Sequence, residues 1–162
     1  RSPRNAQALA VAGFLLAADN QPQIANASFE KAMALDGALG NAWLGRGLLK
    51  IYQGDKQAGI ADLQVAAALE PNRSLLRSTL GKAFADSDDF ERAKDEFEMA
   101  QELDPDDPTP WLYLALMNQR ANRINTAVRN LEQSIEKNDN RSLFRSKLLL
   151  DQDRAIRLLS VG

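Results

Sequence analysis

Carboxylates are the side chains in this sequence best placed, by type and by spacing, to do chemistry. Asp86, Asp88, Asp89, Glu91, Asp95, Glu96, Glu98, Glu102, Asp104, Asp106 and Asp107 crowd into one short stretch. Paired carboxylates can exchange a proton as general acid and base, or hold a hard cation through oxygen. The densest run, Asp104-Pro105-Asp106-Asp107-Pro108, lacks the alternating oxygen ligands, central glycine and closing glutamate of a helix-loop-helix calcium site. It reads instead as a helix stop followed by an N-cap. Acid catalysis needs apolar surroundings that raise a carboxyl pKa. Glu91, Asp95 and Glu98 alternate with Arg92 and Lys94 along a helix, the pattern of a solvated face.

The other common chemistries lack their residues. The chain has no cysteine and no histidine, which removes thiolate nucleophiles, disulfides, the commonest general base and the commonest metal ligand. A serine nucleophile would need a lysine base, and there is neither a glycine-rich phosphate loop nor a Gly-x-Ser-x-Gly elbow. The sequence therefore predicts no catalytic residues, no metal, no cofactor and no enzymatic activity. A net charge of -2 and a pI near 5.2 give no basic face for nucleic acid. No apolar run approaches the roughly 20 residues that span a bilayer, and no leader pattern is visible. The expectation is a soluble protein, cytoplasmic or periplasmic, with the compartment undecided. Arg1 in place of an initiator methionine fits a trimmed, processed or excised segment.

The elements that must position any site follow from a period of 34 residues. Repeats begin at Ala6, Gly40, Ser74, Pro108 and Ser142 without an insertion between them. Apolar residues at three-and-four spacing, broken in step by polar turns, predict helix pairs 4–18 with 22–35, 41–53 with 57–69, 74–86 with 90–103, and 108–121 with 124–137. Asn20-Gln21, Gly54-Asp55 and Asp88-Asp89 mark the turns inside units, where glycine can take positive φ and aspartate can cap the next helix. Pro71, Pro105 and Pro108 mark the joints between units.

In the third unit Leu80, Gly81, Phe84, Ala93, Phe97, Ala100 and Pro105 fall at repeat positions 7, 8, 11, 20, 24, 27 and 32. Trp43, Gly47, Leu63, Ala66 and Pro71 of the second unit agree, as do Trp111, Leu114, Ala115, Ala127 and Leu131 of the fourth and Gly13, Ala25, Phe29 and Ala32 of the first. On these residues the chain resembles the tetratricopeptide repeat (TPR) family. The resemblance implies an all-α, right-handed α-solenoid of four helix-turn-helix units, 6–39, 40–73, 74–107 and 108–141, in a single domain 1–162. Residues 142–162 would add a capping helix or partial fifth repeat. The stretch Arg145 to Asp151 resembles part of large multi-domain bacterial TPR proteins, which implies a bacterial source. Small residues at position 8 are expected where two helices approach closely. Trp43 and Trp111 at position 4, and Phe29, Leu63, Phe97 and Leu131 at position 24, are expected in the core.

In the TPR family, positions 2, 5, 9, 12 and 13 face a concave groove. Carried over residue by residue, this puts Phe14, Leu44, Leu48, Ile51, Tyr52, Ser78, Lys82, Leu112, Leu116 and Arg120 among the candidate partner-binding residues. The family's carboxylate clamp for chaperone tails is missing: one register gives Ala10, Phe14, Gly45, Leu75 and Thr79, the other Leu44, Leu48, Thr79, Thr109 and Tyr113. The implied function is a scaffold that binds a peptide or helix with apolar anchors in that groove. The alternative is a self-association or structural module of a larger protein, with the groove or terminal helix against another copy or domain. Residues 142–162, rich in leucine, would then cap the stack, fill the groove or pair in a homodimer.

Overall fold

A computed structural model describes residues 3–139, and in these residues every regular element is a helix. In chain order they are α1 (Pro3–Ala18), α2 (Pro22–Leu35), α3 (Gly40–Tyr52), α4 (Lys56–Leu69), α5 (Ser74–Asp86), α6 (Phe90–Leu103), α7 (Thr109–Arg120) and α8 (Ile124–Asp139). The boundaries predicted from periodicity and turn residues hold to within two residues at each end. Contacts group these helices into two compact units that part between Pro71 and Asn72, so α1–α4 form one and α5–α8 the other. Residues 142–162, expected to cap, fill the groove or dimerise, lie outside the described residues.

Every turn inside a helix pair uses the same backbone device. Asn20, Gly54, Asp88 and Asn122 have φ of 58°, 97°, 63° and 60°, each 34 residues after the last. Positive φ reverses the chain right after a helix, and asparagine and aspartate tolerate it better than other side-chain-bearing residues. Asp55 and Asp89 then cap α4 and α6, their carboxylates accepting from the amides of Ala58 and Arg92 at 3.3 Å. At the joint after α6, the Asp104 carboxylate accepts from the Asp106 amide and the Asp107 carboxylate from the Thr109 amide. The acidic run is thus a stop and a cap, and among the described residues no cluster could hold a metal.

In the first unit α1 pairs with α2 and α3 with α4, and α3 also packs on α1 and α2. Small residues set the spacing. A Cβ on Gly47 would sit 2.8 Å from the Gly59 carbonyl oxygen, so α3 and α4 touch almost backbone to backbone. Phe29, fully buried, lies against Gly13 of its own repeat and Gly45 of the following one. In the second unit Phe97 takes the corresponding place against Gly81. Positions 8 and 24 therefore behave as packing partners, with Leu63 buried in the same way.

Three packing expectations need correction. Leu131 holds the position of Phe29 and Phe97 yet is 43% exposed, because among the described residues α8 packs chiefly on α7. Trp43 and Trp111 are half-buried rather than core. Trp43 donates its indole N–H to the Gly37 carbonyl at 3.0 Å, and Arg46 and Lys137 stand over the rings of Trp43 and Trp111. Finally, Asp62 is a buried carboxylate, whereas the acidic residues were expected at exposed positions.

Candidate functional site

Asp62 is the acid most shielded from water among those in ion pairs, and its surroundings show what it does. Arg46 grips it with two bonds, Nε to one oxygen at 2.8 Å and Nη2 to the other at 3.0 Å, while Lys50 Nζ stands 3.0 Å away. Burial by itself pushes the Asp62 carboxyl up, but the hydrogen bonds from Arg46 and Lys50 outweigh it and hold the group below the ordinary carboxylate value. The same bond raises the Arg46 guanidinium. Glu30 completes the cluster, 3.5 Å from Arg46. A buried carboxylate held ionised between two cations is not available as an acid, so this cluster is structural.

The sequence-selected residues separate once placed. In the first unit α1 and α3 lie side by side. Leu44 and Leu48, expected to face a partner, are 3% and 2% exposed. They are taken up in the packing of α3, which has α1, α2 and α4 around it, and offer no surface. Phe14 is half-buried with its ring set edge-on to Phe29 at 5.2 Å. Ile51 leans on Gly59 of α4. Of the five selected residues in this unit, only Tyr52 is substantially exposed.

In the second unit Ser78 is likewise buried, because α5 turns that side of its middle turn into the packing against α6 and α7, and it is removed from the candidate surface. Leu112 is half-buried. The remaining three, Lys82, Leu116 and Arg120, come together around an open cavity of about 230 Å³. Its floor is Phe97 from α6 with Tyr113 and Met117 from α7, all three buried. Ala85 and Gln119 close the sides, and Leu116 stands at the rim, 46% exposed.

The polar side of the cavity is an ion cluster. Lys82 Nζ lies 2.9 Å from one oxygen of Asp86, Arg120 Nη1 lies 3.1 Å from the other, and Arg120 Nη2 reaches Asp88 at 3.1 Å. The Lys82 ammonium also stands 6.0 Å from the Tyr113 ring centre, and the Arg120 guanidinium 6.0 Å from that of Phe90. An apolar floor with charges on one side suits a single large apolar side chain entering beside polar backbone. Lys82, Leu116 and Arg120 are selected by repeat position, whereas Phe97 is assigned to the core by its position 24 and Tyr113 and Met117 are not selected. The 34-residue spacing of Asp86 and Arg120 was a signal for their pairing.

No protein-family model matches the chain. Two curated proteins share sequence with it. Bacteriophage adsorption protein A of Escherichia coli strain K12 is 32% identical over 104 residues, 64% of this chain and 10% of that protein. Superkiller complex protein 3 of Mus musculus is 32% identical over 105 residues, 65% of this chain and 7% of that protein. The chain thus spans a tenth or less of these relatives. Among solved structures, MamA superposes with a TM-score of 0.71 at 22% identity, covering 85% of this chain and 81% of that one. MamA from Desulfovibrio magneticus RS-1 gives 0.70 at 24% identity, covering 85% and 77%. The Cut9-Hcn1 hetero-tetramer of APC/C gives 0.77 at 20% identity, covering 88% and 27%. What is shared at these identities is the fold. Among the described residues no helix is long and apolar enough to cross a membrane.

Proposed function

From the premise that this chain is by fold a tetratricopeptide-repeat protein, we propose that it is an interaction scaffold without chemistry of its own. In this reading it holds a protein segment through an apolar side chain that enters the cavity between α5 and α7. The observation that carries it is the convergence of Lys82, Leu116 and Arg120 over the floor of Phe97, Tyr113 and Met117. A cavity of about 230 Å³ suits a single large apolar side chain rather than a cofactor, since small-molecule sites run to roughly 300–1,000 Å³. Buried apolar anchors in such pockets dominate the energy of protein interfaces, while flanking charges set orientation and association rate.

The cluster of Lys82, Asp86, Asp88 and Arg120 carries two charges of each sign, so the rim favours no strongly charged tail. This agrees with the missing carboxylate clamp. The segment expected is therefore an amphipathic helix or extended peptide with an apolar anchor. Affinity capture with the intact chain, followed by titration of the recovered partner, tests the proposal. Leu116→Asp should weaken the captured partner at least about tenfold, a loss of about 1.4 kcal/mol, while leaving the thermal melt unchanged. A partner that binds wild type and Leu116→Asp equally would remove the cavity from the site.

A further inference from the structure

Two cations stand beside a floor made largely of rings. Lys82 and Arg120 both line the cavity between α5 and α7, together with Phe97, Tyr113 and Met117. Asp86 holds both cations, one of its oxygens 2.9 Å from Lys82 Nζ and the other 3.1 Å from Arg120 Nη1. Each cation also stands 6.0 Å from a ring centre of the protein's own, Lys82 from Tyr113 and Arg120 from Phe90.

This lining does not treat all apolar side chains alike. The Lys82 side chain keeps 22% of its surface open. An aliphatic anchor entering beside it would strip water from the ammonium and return no polar contact, which is unfavourable for a charge. An aromatic anchor removes the same water but can turn the negative face of its π system toward the cation. The floor discriminates in the same direction. The Phe97 and Tyr113 rings lie 6.0 Å apart, tilted by 50°, and a third ring can join such a pair edge to face. Thioethers such as that of Met117 also make favourable contacts with ring edges.

On the reading of this cavity as the anchor site of a scaffold, we propose that the anchor it takes is aromatic: a phenylalanine, tyrosine or tryptophan side chain of the partner, with its face toward Lys82 and Arg120 and an edge toward the floor. Selectivity among anchors then comes from positive charge acting on a ring quadrupole, and not from apolar area alone. Asp86 serves by keeping both cations in place before the ring arrives.

The test uses the full chain with isotope-labelled methionine methyl groups, the Met117 signal being assigned by its loss in Met117→Leu. Three blocked tripeptides of alanine, a central residue and alanine are titrated, the central residue being phenylalanine, cyclohexylalanine or pentafluorophenylalanine. Cyclohexylalanine has nearly the shape of phenylalanine without the π system, and fluorination reverses the sign of the ring face. The phenylalanine peptide should shift Met117 and bind at least about threefold more tightly than either of the others. The double variant Lys82→Met with Arg120→Gln, its helicity checked by circular dichroism, should lose that preference. If it does not fold, the three peptides on wild type decide the matter alone. Equal or tighter binding of the cyclohexylalanine or fluorinated peptide overturns the aromatic assignment while leaving the cavity as an anchor site. A preference that persists in the folded double variant overturns it as well, because the cations would not be its source. If none of the peptides moves Met117, the cavity takes no anchor and both readings fall together.

Discussion

Arg120 donates to Asp86 at 3.1 Å, and the two side chains hold the same place in consecutive repeats, 34 residues apart. The matching pair in the first unit is Ala18 and Tyr52, which cannot form such a bond. The bridge links the ends of α5 and α7 beside the cavity. Both partners are partly exposed, and solvent screens them. Arg120→Ala should therefore cost no more than about 1 kcal/mol of stability. Urea titrations should show that cost shrinking as salt is raised.

Asp62 should behave in the opposite way. Removing it as Asp62→Ala leaves Arg46 and Lys50 without the carboxylate they converge on, and breaking a buried pair in this manner typically costs about 3–5 kcal/mol. A loss below about 1 kcal/mol in the urea midpoint analysis would show that the cluster is solvated in solution.

The same residue gives the protein an acid limit. Its folded-state pKa lies below the ordinary value of 3.8, so near that pH the unfolded chain binds more protons than the folded one. The stability it contributes is fully present above the ordinary value and is lost as pH falls through the lowered one. Stability of wild type should drop below about pH 4, and Asp62→Asn should flatten that part of the profile. An unchanged acid limb in the variant would assign the acid sensitivity to other groups.

Leu48 and Leu116 occupy the same repeat position in two units but different environments, 2% and 46% exposed. Leu48→Ala should destabilise by roughly 2–5 kcal/mol, as buried leucine truncations do. Leu116→Ala should leave stability within about 0.5 kcal/mol and act on partner binding. Chemical denaturation of the two variants side by side decides it.

Gly54 has φ of 97° and open space where a Cβ would stand. Replacement by alanine should cost about 1 kcal/mol from the left-handed backbone alone. Gly54→Asn should cost less, because Asn20 and Asn122 already serve at the equivalent turns. Thermal melts of both variants would expose any other cause if their order were reversed.

The helices were legible because three independent signals agreed on them: the period, the prolines at the joints and the polar turns. Asp55 and Asp89 could be assigned as caps on type and place alone. The cavity was only half legible. Lys82, Leu116 and Arg120 follow from repeat position, but Tyr113 and Met117 look like joint packing and became a floor only because Lys82, Ala85 and Leu116 leave space above them. Burial of Leu44, Leu48 and Ser78 was hidden for a related reason. A repeat position names a direction, whereas exposure depends on which neighbours are present, and Leu131 differs from Phe97 on that ground alone.

Phe29, seated between Gly13 and Gly45, has a further consequence for motion. Its ring belongs to one helix pair but fills space owned jointly by two, so neither pair can open without withdrawing it from both. The amides of α1–α4 should therefore exchange with solvent as one cooperative block. The ring acts as a rivet, and the smallest piece of this half of the chain able to unfold is two repeats, not one.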